Sequence, residues 1–330
     1  MTYFSKLIGT GSAFPEKVMT NADFESFVET SDEWIRTRTG IQTRRIANLH
    51  KGESTSTIAT AAAKKALEMA GITADKLDLI VVGTVTADSV MPTTGNLVQA
   101  ALGATRAFSF DLQAACSGFL YGLSIADQFI RTGAIETALV IGAETLSTLI
   151  NWQDRGTCVL FGDGAGAAII TRTSDPTHAI LGTRLYSDGT KGDILKIPHG
   201  GSKIPHYLPE YQHKNHSIHM QGQEVFKLAV RSMIDSSLAL LSEHDLTPSD
   251  VDFFLFHQAN VRILEMCMKS LGVPREKTWI NLDKYGNTSA ATLPVCLDEA
   301  MRNGAIKTGD KVLLTTFGGG VTWASGLIQI

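Results

Sequence analysis

The sequence predicts an α/β protein of two pseudo-symmetric lobes. Three observations carry that reading: an internal repeat, an alternation of helical and strand patterns, and strands that are apolar on both faces. The repeat appears where RTGAIETALVIGAET, starting at Arg131, matches RNGAIKTGDKVLLTTF, starting at Arg302, an offset of 302 − 131 = 171. A second pair, ITADKLDLIVV from Ile72 and LTPSDVDFFLF from Leu246, gives 246 − 72 = 174. Each member of that second pair follows an Ala/Leu-rich stretch of helical periodicity. Uninterrupted apolar strands belong to sheets covered by helices on both sides.

Taken in order, residues 79–82 read as a buried strand and 108–111 as a short one, followed by an amphipathic helix over 117–131. A Gly turn at Gly133 leads into the strand at 139–141, and the strand at 167–170 closes the first lobe. A strand at 180–183 opens the second lobe. The strand at 253–256, a helix from Thr288 onward and the strand at 312–315 follow, with Gly318, Gly319 and Gly320 ending the last strand. The lobes meet between Thr171 and Thr183, so residues 1–172 and 173–330 are the expected halves.

Composition sets the outer limits. With 330 residues, 44% hydrophobic, 19% charged, 30 Gly and 9 Pro, the chain has the balance of a folded globular protein rather than a disordered one. Its 29 basic and 33 acidic residues sum to −4, so no global positive field attracts nucleic acid or anionic lipid. No run of about 18 apolar residues suits a membrane span, and the first residues lack a signal-peptide core, so a cytoplasmic location is expected. Cys116, Cys158, Cys267 and Cys296 lie far apart without CxxC spacing, which argues for free thiols and against a zinc site. Five of the nine His fall within 199–219, but without Cys or paired carboxylates at ligand spacing, so no metal is expected there either.

The chemistry concentrates at three residues. Cys116 lies between the strand at 108–111 and the following helix, flanked by Ala114, Ala115 and Gly118. Such a turn lifts a side chain out of the sheet, and the helix dipole there favours a low-pKa thiolate nucleophile. Carrying the offset of 171 forward pairs it with 116 + 171 = 287, making Asn287 its expected structural equivalent. His257 stands just past the strand at 253–256, where ligands of open α/β sheets bind. A thiol with a His and an Asn donor suits covalent acyl transfer, the thiolate carrying the acyl group and neutral donors stabilising an oxyanion. The glycines of GDGAGA at 162–167 read as tight packing rather than phosphate binding, and GTGSAF at 9–14 is a weak phosphate motif, with Phe14 where a dinucleotide fingerprint needs Gly.

DLQAACSGFLYGL around Cys116, FHQANVRI around His257, YGNTSAATLP around Asn287 and FGGGVTWASGL near the end resemble β-ketoacyl-acyl-carrier-protein synthase III. TSDEWIRTRTGI at 30–41 and DRGTCVLFGDGAGAA at 154–168 extend the resemblance along nearly the whole chain. It implies a thiolase-like fold with a layered αβαβα core, a homodimer, and the condensation that starts type II fatty-acid synthesis. Acyl-CoA and malonyl-acyl carrier protein are then substrates, and no cofactor is needed.

By the same resemblance, Cys116 takes the acyl group and the N–H groups of Cys116 and Gly319 form the oxyanion hole, while His257 and Asn287 stabilise the enolate. Trp34 and Arg155 would sandwich the CoA adenine, with Arg38 and Asn260 along the CoA arm. Phe161 and Met91 would line the acyl pocket, Met91 reaching it from the partner subunit where a Phe is frequent. Gln258, Arg262, Lys227 and Lys269 would meet the acidic carrier protein. A specialised acyltransferase or ketosynthase of secondary metabolism would keep the same fold and Cys116 with a different donor or acceptor. Asn287 disfavours an elongating synthase, which carries His there, and FGGG without a neighbouring Cys disfavours a thiolase.

Overall fold

The computed structural model describes residues 3–330. Its first half runs β1 (Phe4–Ala13), β2 (Val18–Thr20), α1 (Asn21–Phe24), α2 (Asp32–Thr39), β3 (Thr43–Arg45), α3 (Thr55–Ala70), β4 (Leu79–Gly83), α4 (Thr94–Leu102), β5 (Phe108–Leu112), α5 (Gly118–Arg131), β6 (Thr137–Glu144) and β7 (Gly164–Thr173). The second half runs β8 (Ile180–Ser187), β9 (Leu195–Lys196), β10 (His219–Met220), α6 (Gly222–Glu243), β11 (Phe253–Phe256), α7 (Val261–Leu271), α8 (Leu282–Tyr285), α9 (Thr292–Arg302), β12 (Lys311–Gly318) and β13 (Thr322–Gln329).

Two sheets repeat one plan. The first is ordered β1-β7-β6-β4-β5 and the second, read in the same direction, β8-β13-β12-β11. In place of a fifth strand the second sheet has a single parallel bridge between Phe254 and Thr278. Both sheets pair their apolar strands in parallel at the centre, β4 with β6 and β11 with β12, and carry an antiparallel strand outside.

Three apolar clusters show why the chain stacks in five layers. Ile58, Ala62 and Ala66 of α3 cover the outer face of the first sheet through Ile80, Val82 and Ile141. Met233 and Leu240 of α6 and Leu264 of α7 cover the second through Phe254, Phe256 and Leu313. Between the sheets, Phe119, Leu120 and Leu123 of α5 and Leu293 and Leu297 of α9 meet Val81, Val140, Leu255 and Leu314 from both sides. Both helices are buried along most of their length, with polar residues gathered toward their carboxyl ends, and the arrangement is the αβαβα core expected of a thiolase-like fold.

The close fit explains several glycines. A Cβ on Gly142 would meet Ala290 O at 2.1 Å, one on Gly166 would meet Val295 N at 2.6 Å, and one on Gly162 would meet Tyr285 O at 2.2 Å. The GDGAGA run is therefore packing, as its spacing suggested; Gly9 and Gly11 likewise abut the α3 backbone at Ala66 and Ala62.

Two sequence expectations need correction. Gly319 and Gly320 do not end the last strand: they turn β12 into β13, which runs back antiparallel to it. Nor is Cys116 the counterpart of Asn287. The offset is 174 where strands begin (253 − 79 and 311 − 137) and where the central helices begin (292 − 118). α9 has 11 residues and α5 has 14, one turn more, so the repeat drops to 171 only at the helix ends. Cys116 therefore matches Ala290, and Asn287 matches Gln113. The left-handed residues Ala115 (φ 46) and Ser289 (φ 50) sit at the same repeat position, 289 − 115 = 174.

Gly142→Ala is expected to lower stability by at least about 2 kcal/mol, because backbone on both sides cannot yield. Gly189→Ala, with nothing within 4 Å of the added carbon, should change it by less than about 0.5 kcal/mol. Equilibrium urea unfolding of the two variants checks the contrast.

Candidate active site

The site forms where the amino ends of both central helices reach the gap between the halves. Cys116 sits in a single 3-10 turn, Ala115–Ser117, that feeds α5. The second half holds this turn: Thr316 Oγ1 donates to Cys116 O at 3.0 Å and Thr322 Oγ1 to Ala114 O at 2.7 Å. Gly318 permits the approach, since a Cβ there would stand 2.7 Å from Cys116 N.

His257 follows β11, its own N–H bonded to Thr315 O at 2.9 Å, and its Nδ1 lies 2.7 Å from Thr292 Oγ1 at the start of α9. Asn287 is fixed by Ser289 N, which donates to its Oδ1 at 2.8 Å. That bond assigns the amide's orientation and turns Nδ2, a donor, toward the cavity. Phe161 pairs with Asn287 in a parallel backbone bridge.

Cys116, His257 and Asn287 share the floor of a tunnel of about 350 Å³, walled by Leu160, Phe161, Val225, Phe226, Met233 and Phe317. Trp34, Arg38, Arg155, Asn260 and Arg262 line the same tunnel toward its polar end. Ser31 caps α2 by accepting from Trp34 N at 3.1 Å, which fixes the helix that carries the indole. The guanidinium carbons of Arg38 and Arg155 stand 4.8 and 4.7 Å from the Trp34 ring centre. These are cation-π distances, so both guanidiniums rest directly against the indole. A second cavity of about 450 Å³ opens on the other side of Cys116, between Val85, Leu146, Leu195, Ile197, Ile218 and the turn at Gly319.

The ionisable groups of the floor are buried. Burial pushes the Cys116 thiol up to about 12; a hydrogen bond from Ser289 opposes this, and the Glu144 carboxylate adds to it. Burial thus works against the low-pKa thiolate expected from the helix dipole, favouring the neutral thiol. Burial pushes the His257 imidazole down to about 3, so it is neutral at pH 7.

Several expected residues behave differently from their sequence reading. Gln258 is 1% exposed, its Nε2 donating to Phe256 O at 2.7 Å and its Oε1 accepting from Asn281 N at 3.3 Å, so it cannot meet a docking protein. Asn260 lines the tunnel, but its Oδ1 caps α7 through Arg262 N and its Nδ2 holds Arg38 O, both at 3.0 Å. Arg262 is exposed, with Nη2 donating to Thr37 O, and Lys269 lies seven residues on, along the same face of α7. Lys227 is exposed beside Glu224, at 3.1 Å. Met91 is 85% exposed and lines neither cavity of its own chain.

The five-His stretch loops out between β9 and β10, which pair with each other, and Ile197 and Ile218 at its base line the second cavity. Among the described residues no group of three or more His, Cys, Asp or Glu is placed to hold a metal ion.

Two buried groups escaped sequence reasoning. Glu144 ends β6 with its carboxylate held by Thr86 Oγ1 at 2.6 Å, Ser289 Oγ at 3.1 Å and Val85 N at 3.1 Å. Burial raises its pKa to about 7 against those bonds. A charged residue closing an all-apolar strand was the available signal. Arg44, fully buried, donates to Val159 O at 2.6 Å and Asn21 Oδ1 at 2.8 Å, anchoring the segment that leads to Phe161.

The Glu144 shift makes a pH prediction. The folded state keeps a proton that the unfolded chain releases near pH 4.5, so this group's contribution falls as pH rises from there to about 7. Urea unfolding between pH 5 and 7 should show wild type losing stability relative to Glu144→Gln, by up to about 1.4 kcal/mol per pH unit. Parallel curves would show that Glu144 is ionised throughout.

Comparison with known proteins agrees with the geometry. Residues 110–189 match the family model described as 3-oxoacyl-[acyl-carrier-protein (ACP)] synthase III, and residues 241–330 match the model of its C-terminal part. A protein of Caldanaerobacter subterraneus subsp. tengcongensis named beta-ketoacyl-[acyl-carrier-protein] synthase III is 52% identical over 323 residues, covering 98% of this chain and 97% of the relative. The crystal structure of 3-oxoacyl-[acyl-carrier-protein] synthase III from Aquifex aeolicus VF5 superposes with a TM-score of 0.91 at 45% identity, covering 99% of this chain and 100% of that one. The priming beta-ketosynthase of the R1128 polyketide pathway superposes with a TM-score of 0.92 at 34% identity, covering 99% of this chain and 97% of that one. With fold, site and sequence in agreement, the chain belongs to the 3-oxoacyl-[acyl-carrier-protein] synthase III family.

Proposed function

We propose that the protein condenses an acyl-CoA primer with malonyl-acyl carrier protein to give 3-oxoacyl-acyl carrier protein, the first condensation of type II fatty-acid synthesis. The observation that carries this is the convergence of Cys116, His257 and Asn287 in one buried cavity that Trp34, Arg38, Arg155 and Arg262 also line. In the first half-reaction the Cys116 sulfur attacks the acyl carbonyl, the N–H groups of Cys116 and Gly319 receive the oxyanion, and CoA departs as its thiol. In the second, carbon dioxide leaves the malonyl group and the resulting enolate oxygen is held by Asn287 and His257. The enolate carbon then attacks the acyl carbonyl, and the bond to Cys116 sulfur breaks.

Trp34 and Arg155 suit the adenine of CoA, and Arg38 its phosphates. Asn260, committed to the α7 cap, would act by holding this wall. Arg262, Lys227 and Lys269 are the exposed cations proposed for an acidic carrier protein. Phe161 and the apolar second cavity suit the acyl chain. No cofactor is required, acyl-CoA being a substrate.

We further propose a cytoplasmic homodimer. β5 is an edge strand with Phe108 46% exposed, and Val90 and Met91, in the segment before α4, are fully or largely exposed. An open apolar edge of this kind calls for a partner strand, and a second copy there would bring Met91 toward its partner's acyl cavity. The R1128 neighbour supports a second reading, a priming ketosynthase of secondary metabolism, which differs only in the donor and acceptor.

Two measurements test the assignment. Cys116→Ala should abolish acyl transfer, while Asn287→Ala should retain acylation and lose malonyl decarboxylation by about 100-fold or more; equal loss of both half-reactions in the Asn287 variant would refute the division of roles. Trp34→Ala should raise KM for acyl-CoA by about tenfold with KM for malonyl-acyl carrier protein little changed. Steady-state kinetics with each substrate varied reads the difference.

A further inference from the structure

Glu144 is a buried carboxylate that takes no part in the proposed reaction, yet its hydrogen bonds lead to a residue that does; the inference rests on that reading. Four donors converge on it: Thr84 Oγ1 at 3.2 Å, Thr86 Oγ1 at 2.6 Å, Val85 N at 3.1 Å and Ser289 Oγ at 3.1 Å. An ionised carboxylate can accept from all four, which a neutral amide cannot. Thr84, Val85 and Thr86 follow β4 in the first half. Of the four, only Ser289 belongs to the second, where it begins the turn into α9.

Ser289 is held in a conformation that it would otherwise leave. Its backbone is left-handed, at φ 50, a region in which a Cβ is strained. There its N–H reaches back to Asn287 Oδ1 at 2.8 Å, the bond that turns Nδ2 toward the cavity. The backbone of Asn287 is fixed separately, by Leu160 O and Gly162 N, so what Glu144 governs is the side-chain amide. The first half has a counterpart. Ala115, at φ 46, is left-handed at the matching repeat position, and its turn is held from the second half by Thr316 and Thr322. Each strained turn is thus clamped by the opposite half.

We propose that Glu144 is a positioning residue: by anchoring Ser289 it keeps the Asn287 amide oriented with Nδ2 toward the enolate, and so supports decarboxylation. Without the anchor, Ser289 relaxes toward ordinary backbone angles, its N–H leaves Asn287 Oδ1, and the amide loses the bond that distinguishes its donor end from its acceptor end.

Ser289→Ala and Ser289→Gly separate this role from any other that the hydroxyl plays. Both remove the hydroxyl, so its direct effect on the Cys116 thiol is lost equally in the two. They differ in that glycine adopts a left-handed backbone without strain. Each enzyme is first acylated to completion with whichever of acetyl-CoA, isobutyryl-CoA and octanoyl-CoA loads wild type fastest. The saturating rate of carbon dioxide release from malonyl-acyl carrier protein should then fall about tenfold in Ser289→Ala and less than about threefold in Ser289→Gly. The half-saturating concentration should stay within about twofold of wild type, because the enolate forms only after binding. Acylation rates of the two variants should match. Glu144→Leu should cost about tenfold alone and less than about threefold when combined with Ser289→Gly; if Glu144→Leu does not fold, the two Ser289 variants decide. Equal carbon dioxide release in Ser289→Ala and Ser289→Gly, or a change in half-saturation alone, overturns the inference while the condensation stands. Wild type that none of these acyl-CoAs loads, or that releases no carbon dioxide, overturns the reading beneath it.

Discussion

The structure depends on how closely two buried helices and the sheets that enclose them approach at one point. α5 and α9 fill the middle layer, and backbone meets backbone where side chains would ordinarily intervene, at Gly83 against Gly118 and Gly142 against Ala290. Only glycine permits that spacing. Its result is that the turn bearing Cys116 and the turn bearing Asn287 and Ser289 arrive at a common floor, stitched by Thr316 and Thr322 from the second half. A side chain added at any of those glycines moves the helix ends apart before it touches the chemistry.

Close packing also sets the electrostatics. The floor is buried, and each ionisable group there is driven toward its uncharged form: the thiol up to about 12, the imidazole down to about 3, Glu144 up to about 7. Neutral donors in a dry pocket interact weakly with a neutral thioester and strongly with the oxyanion or enolate it becomes. The entrance has the opposite character, with Arg38, Arg155 and Arg262 lining its polar end. The chain thus separates charge recognition at the mouth from neutral chemistry at the floor.

Much of this was legible in the sequence because it is written in periodicity and in turn chemistry. The repeat located both halves, apolar runs located the buried strands, and the residues around Cys116, His257 and Asn287 located the floor. What the sequence misread depended on local length or on burial. Matching Arg131 to Arg302 concealed that α9 is one turn shorter, which set Cys116 against the wrong residue. Gln258 looked like a surface residue beside a His, but its amide closes backbone bonds inside the fold. The thiol looked activated because dipole effects can be read from helix position, whereas desolvation cannot. Glu144 showed in the sequence only as a charged residue ending an apolar strand, since its partner Ser289 lies 145 residues away.

The central claim is that Cys116 carries the acyl group between two half-reactions performed on one floor. Intact-protein mass spectrometry tests it most directly: wild type and Cys116→Ala are incubated with acetyl-CoA, branched acyl-CoAs and longer straight-chain acyl-CoAs, then chased with malonyl-acyl carrier protein. The account predicts a gain of one acyl group in wild type alone, removed by the chase as 3-oxoacyl-acyl carrier protein appears. An adduct that persists in Cys116→Ala, or one that malonyl-acyl carrier protein does not discharge, would contradict it.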